Sequence, residues 1–159
     1  MVATPITPST RYIPPGVRHY YWVASIASKA SPTRSELNAG TDLTGEIQAV
    51  SGFSVESVQV DTPDLLNTFI AKIPGRTQAA DSSITMYASS NSVDARTLLV
   101  RGTAGFIVAF PEGDITGQKM DVFPVKVSGA PKDTATEDPG KIQFTFSITG
   151  QPVENVTIP

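Results

Sequence analysis

The sequence predicts an all-β fold with one flanking α-helix, its two antiparallel sheets packed face to face as a sandwich or barrel. Three observations predict it. Residues 141–149 read KIQFTFSIT, with Ile142, Phe144, Phe146 and Ile148 alternating strictly with Gln143, Thr145, Ser147 and Thr149, the pattern of a strand with one buried face. Short runs of aromatic and β-branched residues recur along the chain, separated by glycine, proline and aspartate. Helix signals gather convincingly in a single place, residues 92–100.

The elements follow in order. Residues 1–16 (MVATPITPSTRYIPPG) carry prolines that remove backbone donors and fix φ, so they form an extended arm ahead of a single domain over 17–159. RHYYWVAS at 18–25 suits a half-buried strand. Around 31–38, Ser31 or Thr33 caps at most one helical turn, which Gly40 ends. Residues 41–50 fit no single period. From Gly52 to Asp61 a strand is expected, and its apolar parity changes between Phe53/Val55 and Val58/Val60, which predicts a β-bulge or bend near Ser57. An apolar run at 66–73 precedes Pro74-Gly75, read as a turn, and residues 84–88 form a strand.

The expected helix at 92–100 has Asn91 or Ser92 as cap, Asp94 in its first turn and Arg101 at its end, both charges favourable to the dipole. Gly102 supplies its stop, and Ala95, Leu98 and Leu99 its buried stripe. Strands follow at 105–110, 120–129 and 141–149, with 129–140 as an exposed polar hairpin loop and a last strand at 153–158. No internal repeat and no domain boundary interrupts the series.

At 159 residues and 40% hydrophobic content the chain is long enough for a real core. Only 17% is charged, below the usual ~25%, which fits a surface covered by partners and equally fits a lightly charged monomer. Ahead of Glu36 stand four cations (Arg11, Arg18, Lys29, Arg34) and no acid, and the remainder holds eight cations against fifteen acids. A basic leading segment on an acidic body suits contact between copies. A pI near 5.0 argues against sequence-specific DNA binding. No apolar stretch at the N-terminus suggests a signal peptide and no run reaches membrane-spanning length, so synthesis in a cytoplasm with no membrane partner is expected.

Chemistry is hard to place in this chain. With no cysteine and one histidine, His19, thiolate sites and multi-histidine metal sites are excluded. Gly102-Thr103-Ala104-Gly105 lacks the Lys–Ser/Thr continuation of a phosphate loop. Asp61 and Asp64 flank Pro63 without the further oxygens a hard cation needs, and read as turn formers. The aromatic cluster lacks the interleaved cations of a base-stacking platform. No catalytic, metal or cofactor-binding residue is assigned, and no enzyme is expected.

The run YYWVASIASKASPTRSELNAGTDLTGEIQAVSGF resembles the N-terminal half of tail tube proteins from long-tailed, non-contractile phages of actinobacteria. The resemblance lies in Tyr21–Val23, Pro32–Leu37, Gly40–Leu43 and Ser51–Phe53, and continues through VDTPDL, KIPGRTQAADSSITMYAS, RGTAG, DVFPVKV and the ending FSITGQPVENVTIP. It covers nearly all of the chain after about Tyr20, and the arm matches nothing in it. It implies a virion structural protein whose copies close into six-membered rings that stack into a hollow tube. Its partners would be further copies of itself and the tape-measure, tail-tip and terminator proteins, with phage DNA passing through non-specifically.

On that reading Gln143, Thr145, Ser147 and Thr149 are candidate lumen residues, because an uncharged face lets DNA slide where a cationic one would hold it; an outer, solvent-facing sheet is the rival for the same positions. Arg11 and Tyr12 of the arm, with Asp133, Glu137 and Asp138 of the 129–140 loop, are candidate contacts between rings. The inner tube of a contractile tail or injection system, and a monomeric receptor- or glycan-binding module, are the alternatives.

Overall fold

A computed structural model of the chain describes residues 3–91, 94–133 and 136–159. Ten strands run β1 His19–Val23, β2 Thr41–Asp42, β3 Ile47–Ser51, β4 Val55–Thr62, β5 Ala71–Ala79, β6 Ser82–Tyr87, β7 Ala104–Phe110, β8 Lys119–Gly129, β9 Lys141–Ile148 and β10 Val153–Thr157. They form two antiparallel sheets. The larger has the order β2-β1-β7-β8-β9-β6-β3, with β10 also on β8, and the smaller is the hairpin β4-β5. The all-β class with a flanking helix is as expected.

The large sheet carries a buried cluster on each of its two faces. Alternation on β7 and β8 sends Ile107, Phe123, Val125 and Val127 to one face, where they meet Trp22, Ile84, Met86, Ile142, Phe144 and Phe146 in the main core. The intervening Val108, Phe110, Met120 and Val122 face outward onto a second core, closed by Val23, Ile26, Leu37, Val156 and Ile158. β10 and the helix α1, Arg34–Asn38, supply that cover. Both cores are built of apolar side chains, and burial of such side chains is the main favourable term of folding.

Several local expectations need correction. The α-helix is α1, not 92–100. Thr33 caps it in a complete capping box: its hydroxyl accepts from the Glu36 N–H, and Glu36 returns to the Thr33 N–H at 2.7 Å, satisfying donors that a helix start leaves open. In the later segment only the 3-10 turn Ala95–Thr97 forms among the described residues, and Ser92 lies outside them. Its cap is Asp94, whose carboxylate takes the Arg96 and Ser89 backbone N–H groups and the Arg96 guanidinium at 2.7 Å. That web tightens one turn and holds the Asp94 carboxyl well below its usual range. The expected stripe is buried all the same, Leu99 fully and Ala95 and Leu98 against the main core.

The expected turn at Pro74-Gly75 is interior to β5, and the strand expected from Gly52 begins at Val55. The β4-β5 register does shift between Ser57 and Gln59, but the extra residue is on the partner strand: Val58 alone stands against Gly75 and Arg76, and Pro74 sits opposite Gln59. A bulge leaves a ladder position unpaired, which is where proline can enter a strand. Gly75 follows because a Cβ there would lie 2.7 Å from the Val60 side chain.

Candidate assembly surfaces and channel face

Because neighbouring strands are antiparallel, the registers define two margins of the large sheet. One gathers the start of β1, the end of β7, the start of β8, the end of β9 and the start of β6. The arm and the β4-β5 hairpin both leave from it. The other gathers the opposite ends, and holds the 129–140 loop and the 3-10 turn Ala95–Thr97.

Residues 3–12 of the arm are exposed and belong to no regular element. Where it reaches the body it is tied, the Tyr12 hydroxyl donating to the Pro111 carbonyl at 2.9 Å. Arg11 is exposed. At the opposite margin the Asp133 N–H donates to Lys141 O at 2.9 Å, Lys141 pairs with Asp138 at 3.1 Å, and Glu137 is exposed. The five candidate contact residues therefore stand in two groups at opposite ends of the β7-β8 pair, and not together.

Gln143, Thr145 and Ser147 share the outward face of β9, beside Thr85, Ser83 and Lys126 respectively. Gln143 donates to Ser83 Oγ at 3.3 Å, the Ser128 and Thr145 hydroxyls lie 3.0 Å apart, and Thr145 donates to Gly129 O at 3.3 Å. The result is a ladder of hydroxyl and amide groups with their hydrogen bonds partly internal. This is the same outward side of the sheet that β10 and α1 cover further along, left bare over β9 and β6. No carboxylate stands on these rungs; Lys126 and Lys141 are the charges among them. Thr149 leaves the ladder: it lies past the end of β9, with its hydroxyl on Pro124 O at 3.4 Å.

The most exposed apolar surface is one that sequence reasoning missed. The apolar run at 66–73 is the apex and return of the β4-β5 hairpin. Leu65, Leu66 and Phe69 are 107%, 96% and 78% exposed, and Val58, Val60, Ile70 and Ile73 are about half exposed. Across the hairpin Val60 faces Ile73, whereas Asp61 faces Lys72 with an ion pair at 3.2 Å. One face is thus apolar and bare, the other polar. The hairpin root is fixed. Gly52 has φ +78° and no room for a Cβ, which would sit 2.2 Å from Asp81 O. Phe53 then turns inward onto Phe123 and Phe146, its N–H donating to buried Ser82 Oγ at 3.0 Å. No local signal marked them: Leu65, Leu66, Phe69 and Ile70 stand at i, i+3 and i+4 spacings, which reads as the apolar face of a helix as readily as a bare hairpin apex.

Edges and polar clusters complete the surface. β3 pairs only with β6, and β10 only with β8, so each presents an unpaired border among the described residues. His19 lies 3.4 Å from Asp42 on the exposed side of β1. No group of three or more His, Cys, Asp or Glu gathers among the described residues, and no helix there is long and apolar enough to cross a membrane.

Comparison with known proteins gives a consistent picture. A family model described as phage tail tube protein matches residues 5–159. Among solved structures, a chain of "Tail of empty GTA particle computed with helical refinement, C6 symmetry" superposes with a TM-score of 0.56 at 11% identity, covering 87% of this chain and 94% of that one. A chain of "Virion of native gene transfer agent (GTA) particle" gives 0.52 at 11% identity, over 73% and 88%. No curated protein matches this sequence.

Proposed function

The chain belongs to the phage tail tube protein family, and on that premise we propose that its copies close into rings which stack into the tube of a non-contractile tail. It is a structural protein of the virion tail. The observation that carries the assembly reading is the bare apolar hairpin. A two-stranded hairpin is marginal in water by itself, and an apolar patch of this extent on a monomer marks a surface awaiting a partner. The unpaired borders of β3 and β10 point the same way, since a closed ring covers each open edge with the next copy. The six-fold symmetry named for the gene transfer agent tail supports a ring of six.

Head-to-tail stacking brings one margin of a ring against the opposite margin of the next. That sets the root of the arm, Arg11 and the body-tied Tyr12, on one side of the junction and Asp133, Glu137 and Asp138 on the other. The bare ladder of Gln143, Thr145 and Ser147 is the face assigned to the channel. DNA passes it without being held, because few counterions are displaced where few cations stand. The tube catalyses nothing, assembles in the host cytoplasm, and takes the tape-measure, tail-tip and terminator proteins as its other partners.

The test is a variant with Leu65, Leu66 and Phe69 all changed to Ser. Its circular dichroism and melting should match the parent, because these side chains touch no core. Negative-stain microscopy should show tubes for the parent and none for the variant. Tubes of normal length from the variant would remove the hairpin from assembly.

A further inference from the structure

Two exposed apolar segments leave the same margin of the fold: the β4-β5 hairpin apex and the arm, which bears Ile6 at 94% exposure. We propose that the arm docks, as a polyproline II strand, on the hairpin apex of another copy. The inference rests on the assembly reading above and names a contact within it.

The arm's spacing carries the first part. Pro5, Pro8 and Arg11 recur every third residue, and a polyproline II helix has three residues per turn, so all three lie along one edge. Proline-rich segments of this kind dock on aromatic and aliphatic surfaces, because they are already stiff and lose little entropy on binding. Two of the residues have no N–H to desolvate. An edge with two proline rings and a terminal cation calls for an apolar surface that ends in carboxylate.

The hairpin apex has that chemistry. Leu65, Leu66 and Phe69 offer an aliphatic and aromatic platform beside Asp64. The Asp64 carboxylate accepts from the Asn67 side-chain amide at 3.2 Å and from the Leu66 and Asn67 backbone N–H groups at 2.8 and 2.9 Å, which fixes it at the platform's rim and lowers its pKa. Charges agree: residues 3–16 contain Arg11 and no acid, while β4, the apex and β5 contain Glu56, Asp61 and Asp64 against Lys72 and Arg76. Within one copy the two do not meet, since arm and apex are both exposed to solvent. Tyr12, tied to Pro111, leaves about 20 Å of polyproline II reach to Ile6 at ~3.1 Å per residue. Since arm and apex leave the same margin, the natural donor and acceptor are lateral neighbours in one ring.

The chain has no cysteine, so placed thiols report without background. Ile6→Cys and Leu66→Cys chains carrying different mass tags are mixed, assembled and treated with a short bismaleimide. The expected result is a crosslinked dimer of the two tags as the main product, reduced at least fivefold when Pro5 and Pro8 are both changed to Gly. Glu137→Cys replaces Leu66→Cys as the opposite-margin control and should give little product. Tubes with no Ile6–Leu66 crosslink overturn the arm–hairpin contact and leave the conduit reading standing; so does a crosslink to residue 137 in place of residue 66. A chain carrying both cysteines that links to itself when dilute and monomeric shows the arm on its own hairpin, and also overturns the proposal. If no assembly is seen by microscopy and no crosslink forms, both readings fail.

Discussion

At the scale of single residues, the fold depends on close approaches that few side chains permit. Gly105 on β7 is the sharpest. A Cβ there would stand 2.6 Å from Trp22 Cζ2 and 3.0 Å from Val23 O, so the six-membered ring of the indole fills the space a side chain would need. Gly105→Ala forces Trp22 (3% exposed) off its seat and should cost about 1–3 kcal/mol. Urea denaturation gives the cost, and the single tryptophan's emission should shift to the red. Thr33 shows what a residue can announce beforehand: a threonine three positions ahead of Glu36 is a capping box in sequence and in structure. Asp94 shows the limit. Its place ahead of an apolar stripe suits a helix, but its bonds to Ser89 and Arg96 tighten the described segment into a 3-10 turn.

At the scale of elements, α1 is held to the sheet by a polar clasp. Arg34 reaches Asp114 with both guanidinium nitrogens, the longer bond 3.0 Å, and the Tyr21 hydroxyl donates to the same carboxylate at 3.0 Å. Burial first, and then that hydrogen bond, push the Tyr21 phenol up to about 12. An unfolded tyrosine titrates near 10. The clasp is therefore complete below about pH 10, and stability drains between about pH 10 and about 12, where the unfolded chain loses a proton that the folded one keeps. Tyr21→Phe should cost about 1 kcal/mol at pH 8, and the gap to the parent should narrow by pH 11, as measured by chemical denaturation at each pH. A gap that does not change with pH would show that the phenol's proton takes no part. The hairpin is the opposite kind of element, anchored at its root by Gly52, Phe53 and Ser82 and bare at its apex.

At the scale of the whole molecule, the outward side of the large sheet is divided. One half carries Val108, Phe110, Met120 and Val122 under α1 and β10; the other carries the hydroxyl and amide ladder of Gln143, Thr145 and Ser147 with Lys126 and Lys141. If that bare half lines the channel, Thr145→Lys with Ser147→Lys adds two cations per copy, each attracting phosphate as DNA passes. Tubes should form, because both positions point out of the core, but ejection measured by host killing or DNA release should slow markedly and recover as salt is raised. Unchanged ejection would assign the ladder to the tube's exterior.

The sequence by itself determined the strand-rich class, the inward row Ile142–Phe144–Phe146–Ile148, the break in register near Ser57 and the buried stripe of Leu98 and Leu99. Each is a local consequence of side-chain period or backbone permission, which neighbouring residues alone dictate. Only the tertiary structure decided that Pro74 and Gly75 lie within a strand and that Leu65, Leu66 and Phe69 face water. It likewise decided that Thr149 falls outside the ladder, and that the arm and the acidic loop stand at opposite margins. An apolar side chain reads the same whether its partner is its own core or another copy, and pairing between distant strands sets which. That is a property of the pairing of distant strands, not of any short stretch of chain.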